Sequence, residues 1–409
     1  MHKPLSAETV ACVKATVPAL AIHGAAITKV MYERMFKDAH IKALFNQANQ
    51  GGDGKQVHAL AGAILAYAQN IDNLGALLPV VERIAQKHIG YDIRPEHYPF
   101  VANALLGAIA EVLGDAATEE VLGAWGEAYW FLAEILKARE KAIRDEIAEI
   151  EGGWTGWRKF VVAEKIRESA IITSFILKPA DGGPVMPHKP GQYLTFRFTA
   201  AEGLQMKRNY SISCAPNEEF YRISVKREAD GQGGSRFLHD VVKVGTELEA
   251  TPPAGDFFLA DSPQRPVVLL SGGVGLTPLV SMAETIAKRH PQLETYFVHG
   301  TMNGDTHAMA DHLKGLAKKH GRTSLATFYS DPRTDDELGK THDANGFITM
   351  DWLQRNTPLD QADLYLCGPT EFLRVFVNSL TRSGVPSDRI HYEFFGPADS
   401  LQEPEKKEA

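Results

Sequence analysis

The sequence predicts a multidomain protein in three successive parts: an all-α domain, an antiparallel β-barrel domain and a doubly wound α/β domain. Three observations predict it. From Ser6 to about Ile150 the apolar residues recur at spacings of three and four with almost no alternating runs, which is the helical period. After Trp157 the chain changes to short β-rich runs broken by Gly and Pro, the pattern of a small barrel. From Pro266 onward strands alternate with helices, as in a doubly wound sheet. The boundaries this suggests are 1–150, 151–262 and 263–409, and 409 residues is more than one core usually organises.

Composition narrows the class. Hydrophobic residues at 44% and charged residues at 23% describe an ordinary globular protein. A formal net charge of −8 disfavours a nucleic-acid partner. Cys12, Cys214 and Cys367 form no CxxC pair and no metal-finger spacing, so they read as unpaired thiols in a reducing compartment. The start Met1-His2-Lys3-Pro4 has no signal-peptide core, and no run approaches the roughly 18 apolar residues of a membrane span. A soluble cytoplasmic protein without integral membrane contact is expected. The charged tail after Pro397 is expected to be disordered.

In the first part, Pro79 to Gly90 reads as one helix with Val81, Ile84 and His88 on a shared face. An imidazole so placed points inward, either as a core histidine bonded to a carbonyl or as an iron ligand. His58 falls on a polar face and His97 beside a turn, so neither competes. Tyr32 is in register with Met35 and Phe36, and Gln56 with Leu60, Ala63 and Tyr67. Both would offer a polar group to an apolar pocket, where a donor stabilises dioxygen on haem iron; both also suit plain packing. The last helix carries Trp125, Tyr129, Leu132, Leu136 and Ile143 on one face, and Gly152-Gly153 ends it. Glu140 lies on that stripe, four residues after Leu136. A buried carboxylate there needs a partner, with Tyr98 or the second nitrogen of His88 available. The other reading is an exposed glutamate paired with Lys137 or Arg144.

The second part offers strands near 160–163, 171–177, 193–198, 210–213 and 221–226. Arg208-Asn209-Tyr210-Ser211 would place Arg208 and Tyr210 on one face and Ser211 on the other. An arginine can neutralise a diphosphate while a ring stacks on a flavin and a hydroxyl meets its N5 region. Gly191-Gln192-Tyr193 precedes this string, and Lys226-Arg227-Glu228 with Gly233-Gly234-Ser235 follows. The glycines could present backbone N–H groups to a second phosphate or form a hairpin turn.

In the third part Val267 to Leu270 is a buried strand, followed at once by Gly272-Gly273-Val274-Gly275-Leu276-Thr277-Pro278, with the helix expected after Pro278. This is neither a Walker loop nor the strict GxGxxG, yet a strand, a glycine turn and a helix start make the dinucleotide-phosphate arrangement. Asp331-Pro332-Arg333 after the strand 323–330 puts an acidic residue where a free ribose hydroxyl would be favoured, which leans towards NADH.

Taken together, Tyr32 within Ile27 to Phe36, the run Ile84 to His88, the Pro95-Glu96-His97-Tyr98 turn and Ala138-Arg139-Glu140 resemble the globin domain of flavohaemoglobins. The likeness runs through the other two parts and covers essentially the whole chain. It implies haem b on His88, Tyr32 and Gln56 on the distal side, Tyr98 and Glu140 as the proximal hydrogen-bonding network, and Lys87 as a neighbour that biases the iron. The flavin strings resemble ferredoxin-reductase-type FAD domains. The resemblance also places Cys367-Gly368-Pro369 beside the nicotinamide of NAD(P)H, and the rings of Tyr392-Glu393-Phe394-Phe395-Gly396-Pro397 against the flavin. The implied activity is nitric oxide dioxygenase, consuming nitric oxide and dioxygen with electrons from NAD(P)H, as a monomer without an obligate protein partner. The rival readings are a reductase serving another acceptor and a haem-based gas sensor or oxygen-binding protein.

Overall fold

The computed structural model of the chain describes residues 4–44, 55–199, 205–229 and 233–395. They form two compact units, one gathering the chain up to Trp157 together with Arg197–Arg208, the other Arg158–Phe196 and the residues from Asn209 onward.

The first unit is helical: α1 Ala7–Ala15, α2 Val17–Met35, α3 Ala39–Leu44, α4 Lys55–Gln69, α5 Leu78–Gly90, α6 Tyr98–Leu113 and α7 Glu119–Glu149. Prolines stand in the first turns of α2, α5 and α6, where no backbone N–H is needed. Thr118 caps α7 by accepting the Val121 N–H at 3.3 Å, worth about 1 kcal/mol. Leu20, Ile27, Met31, Ile41, Leu105, Ile109 and Trp125 fill the main core. A smaller cluster, Val81, Tyr98, Ala133 and Leu136, joins α5, α6 and α7. One expectation fails here: Pro95–Ala116, with mean hydropathy 1.3, is long and apolar enough to cross a membrane by length and composition. Its apolarity has a packing reason, since Tyr98, Ala102, Leu105, Ala108 and Ile109 are buried in this unit.

The described β-strands form two six-stranded sheets. The first uses β1 Arg158–Arg167, β2 Ile172–Pro179, β3 Tyr193–Thr199, β4 Gln205–Ser211, β5 Tyr221–Lys226 and β6 Glu247–Ala250, in the order β4-β3-β6-β1-β2-β5. The β1–β2, β1–β6 and β2–β5 pairs are antiparallel. A bridge between Ile212 and Ile223 ties the end of β4 back to β5 and closes the barrel. A one-turn helix α8, Gly234–Arg236, leads into a π-helical turn, Phe237–Val241.

The second sheet is parallel: β7 Val267–Gly272, β8 Thr295–Thr301, β9 Thr323–Tyr329, the short β10 Ala344–Asn345, β11 Asp363–Gly368 and β12 Ile390–Phe394, in the order β10-β9-β8-β7-β11-β12. Helices α9 Leu276–Arg289, α10 Ala310–His320, α11 Met350–Asn356 and α12 Thr370–Arg382 connect the strands. The chain runs outward from β7 through β9 and then crosses to β11, so the switch point lies between β7 and β11. Ligands of such sheets bind in that crevice, beyond the strands' carboxyl ends. Helix α9 begins at Leu276 rather than after Pro278, because a proline in the first turn forfeits no intrahelical bond.

Candidate functional site

His88 sits in the last turn of α5, and its ring is held from behind. Nδ1 lies 2.7 Å from Glu140 Oε1 on α7 and 3.2 Å from the Tyr98 hydroxyl on α6. Tyr98 donates to the same Glu140 oxygen at 2.5 Å. Burial, with Glu140 adding to it, pushes the Tyr98 phenol far above its ordinary range, so it remains a neutral donor. Glu140 is 0% exposed, which settles its two sequence readings in favour of the buried one. Arg144 Nη1 is 3.8 Å from its other oxygen, too far for a hydrogen bond. With Nδ1 facing a carboxylate, Nε2 is left as the nitrogen that can bind a metal.

Tyr32 is buried on α2 with its ring stacked on Phe36 at 5.4 Å. Gln56 lies on α4, but its side chain is outside the described residues. Lys87 is exposed.

On β4, Tyr210 packs its ring 5.9 Å from Phe196 and Ser211 is buried. Arg208 turns back along its own strand, donating from Nη1 to the Lys207 carbonyl at 2.8 Å, and Asn209 is exposed. Lys226 pairs with Glu228 at 3.0 Å, and the Glu228 N–H donates to Ser235 Oγ at 3.2 Å. The fold therefore brings the end of β5 to the Gly233–Ser235 turn, where Gly233 holds φ +123° and Gly234 is buried. Tyr193 is buried at the start of β3, and its ring covers Gly255.

At the switch point the glycines divide into two kinds. Gly273 has φ +55° and open space where a side chain would project, which leaves its backbone approachable. Gly272, Gly275 and Gly368 are packing glycines. A methyl on Gly275 would meet the Cys367 carbonyl and come 2.7 Å from the Gly368 nitrogen, and one on Gly368 would come 2.8 Å from the Phe372 ring. The turn after β7 is thus seated on the end of β11. Val274 is half-buried, Leu276, Thr277 and Pro278 are buried, and the Thr277 hydroxyl donates to the Val274 carbonyl at 3.1 Å. Burial pushes the Cys367 thiol well above its ordinary range, so it stays protonated. Pro369 caps α12. Phe394 is half-buried and Phe395 is 49% exposed, whereas Gly396 and Pro397 lie outside the described residues. A cavity of about 230 Å³ beside α10, lined by His299, His307, Lys314 and His342, includes none of the turn residues.

The family pattern described as Globin matches residues 29–136, and the one described as Oxidoreductase NAD-binding domain matches 269–378. A Flavohemoprotein of Xylella fastidiosa is 59% identical over 98% of this chain and 99% of its own length. The chain belongs to the flavohaemoprotein family. A Flavohemoprotein of Rhizobium meliloti is 46% identical over 96% of the chain and 98% of its own length. Among solved structures, the flavohemoglobin of Malassezia yamatoensis, with bound FAD and heme, superposes with a TM-score of 0.84 at 27% identity, covering 96% of this chain and 100% of that one. The flavohem-like FAD/NAD-binding domain of nitric oxide dioxygenase from Vibrio cholerae matches with a TM-score of 0.54 at 40% identity over 59% of this chain and 99% of its own.

Sequence reasoning passed over several residues of this flavohaemoprotein-family chain. Lys207, in the first unit, donates to the Tyr91 carbonyl at the end of α5 at 3.1 Å, and burial pushes its ammonium down to about 8. Ser281 and Glu284 on α9 reach Cys214 and Ala215, just beyond β4. The sequence sets these two residues apart in no way from Thr277, Thr285, Lys288 and Arg289 on the same helix.

Proposed function

We propose that the chain is an NAD(P)H-dependent nitric oxide dioxygenase built as a haem part, 1–150, an FAD part, 151–262, and an NAD(P)H part, 263–409. The observation that carries this reading is the end-to-end likeness to flavohaemoproteins, including a solved flavohemoglobin with bound FAD and heme. The residues present suit the three groups. A histidine with Nδ1 on a buried carboxylate offers Nε2 to haem iron. Tyr210 and Ser211 offer a ring and a hydroxyl to the flavin, with Arg208 and the N–H groups of Gly233–Ser235 for its phosphates. Gly273 opens the turn before α9 to a dinucleotide phosphate.

The chemistry of the bound groups is hydride donation by NAD(P)H, its division into single electrons at FAD, and oxidation of nitric oxide by dioxygen to nitrate at the haem iron. Glu140 places negative charge behind His88 and so strengthens its electron donation, while Tyr98 fixes the carboxylate. Tyr32 would offer its hydroxyl to dioxygen held at the iron. Ser211 would hold the flavin through its hydroxyl, and the rings of Phe394 and Phe395 would pack against it. At the ribose end the reading favours NADH: Asp331 follows β9 by two residues, and Arg333 is engaged by Asp305 and Asp335.

Mixing the reconstituted protein with NADH, dioxygen and nitric oxide in a stopped-flow spectrometer tests the reading. Stoichiometric nitrate, with two nitric oxide molecules consumed per NADH, is expected. NADH oxidation indifferent to nitric oxide would instead favour a reductase for another acceptor.

A further inference from the structure

Helix α9 starts at the glycine turn, and two of its side chains tie it to the barrel. Ser281 Oγ donates to the Cys214 carbonyl at 2.6 Å, and His188 Nε2 stands 3.0 Å from the same carbonyl. Glu284 accepts the Ala215 N–H on Oε2 at 2.7 Å. Its Oε1 accepts Arg222 Nη2 at 2.6 Å and faces His312 Nε2 at 2.7 Å. Arg222, on β5, also donates to the Ser213 carbonyl and from Nε to Ser213 Oγ at 3.2 Å. Ser281 and Glu284 Oε2 land directly on Cys214 and Ala215, and Glu284 Oε1 reaches Ser213 through the Arg222 side chain; these three residues continue the chain from Ser211. Ser281 is fully buried and the Glu284 side chain is 16% exposed, so these bonds are shielded from water. Burial opposes the charge on Glu284, but His312, Arg222 and the Ala215 N–H outweigh it and hold the carboxyl below its ordinary range.

We infer that Ser281 and Glu284 are positioning residues for hydride transfer: they lash the helix that begins at the dinucleotide turn to the segment that follows Ser211, fixing the hydride-donating turn relative to the flavin strand. The inference rests on the nicotinamide-to-flavin reading above. It follows from geometry, because α9 is a rigid continuation of the turn and Ser213–Ala215 a direct continuation of β4. Without the ties the two sites can drift, and a drift of about 1 Å costs up to ~100-fold in a transfer between bound reactants.

The test uses the full-length, FAD-loaded protein. Glu284→Gln and Ser281→Ala are reduced by NADH in anaerobic single turnover, and amide exchange at Ala215 is followed in the same preparations. Glu284→Gln is expected to slow the limiting rate of flavin reduction by about tenfold, with Ser281→Ala slowing it less, while FAD occupancy and NADH affinity stay within about twofold. Ala215 should exchange about tenfold faster in Glu284→Gln, a change that does not depend on turnover. If Glu284→Gln fails to fold, Ser281→Ala alone decides. Wild-type limiting rates in the folded variants overturn the inference, and so does a rate loss matched by an equal loss of FAD. Failure of NADH to reduce the flavin of the unaltered protein would strike the underlying functional reading instead.

Discussion

Replacing Gly275 with Ala probes how tightly the dinucleotide turn is seated. The residue has φ −61°, which alanine adopts freely, so backbone strain is not the issue. Space is. The added methyl would lie 2.7 Å from the Gly368 nitrogen and nearer still to the Cys367 carbonyl, both backbone atoms of a central strand that no rotamer change can move. Ordinary contact needs about 3.5 Å, so the turn and β11 must part by roughly 1 Å. Overpacking of that size costs about 1–3 kcal/mol in a well-packed region, and a comparable displacement of a reactant can slow its reaction about 100-fold. Urea unfolding followed by flavin fluorescence reads the first effect, and anaerobic flavin reduction by NADH the second. Gly273→Ala provides the contrast: its methyl meets no neighbour within 4 Å, but the φ of +55° strains it, so it should lose about 1 kcal/mol without parting the strands. A Gly275→Ala protein of unaltered stability and reduction rate would refute the seating argument.

His88→Ala should abolish haem retention while FAD content stays at the wild-type level, both read from absorbance spectra; a normal histidine-haem spectrum in the variant would remove His88 as the ligand. Glu140→Gln keeps the size and an acceptor oxygen but removes the charge behind the imidazole, so the iron potential should rise and haem should bind roughly tenfold or more weakly, checked by redox titration and haem-transfer rates. Acid should weaken the second unit through imidazoles that burial holds uncharged: His188 at about 4, His299 at about 3 and His307 at about 4. Their folded values lie below the ordinary 6.5, so the stability they give is complete above that pH and drains away as the pH falls towards 4, about 3 kcal/mol for His188 alone. Urea midpoints at pH 7.5, 5.5 and 4.5 test this, and a constant midpoint would contradict it.

Much of this arrangement was legible where the relevant contact follows chain periodicity. Glu140 could be placed on the buried stripe of α7 because helical spacing is rigid, and the glycine turn could be placed at a strand end because the buried run before it ends abruptly. The limits of β5, Tyr221–Lys226, were legible to the residue, since Tyr221, Ile223 and Val225 alternate strictly with Arg222, Ser224 and Lys226. Strand β6 was missed: its four residues, Glu247–Ala250, alternate too briefly to stand out from a loop. Helix α11, seven residues long, was missed for the same reason. The ties from Ser281 and Glu284 could not be read at all, because they span 67 and 69 positions and depend on how two sheets pack. The open role of Gly273 and the packing role of Gly275 look identical in a sequence, and only neighbouring backbone separates them.

The imidazole of His88 stands on α5, yet its orientation is set by a carboxylate on α7 and steadied by a phenol on α6. Ring azimuth is therefore a property of three-helix packing rather than of the helix that bears the ring. A slide of α5 by one residue's rise, about 1.5 Å, would break the 2.7 Å bond while leaving every bond inside α5 intact. The His88 imidazole thus acts as a strain gauge for the small cluster of Val81, Tyr98, Ala133 and Leu136. Loosening of that cluster by heat, pressure or distant substitution should register in the iron–imidazole stretching frequency before any helix melts.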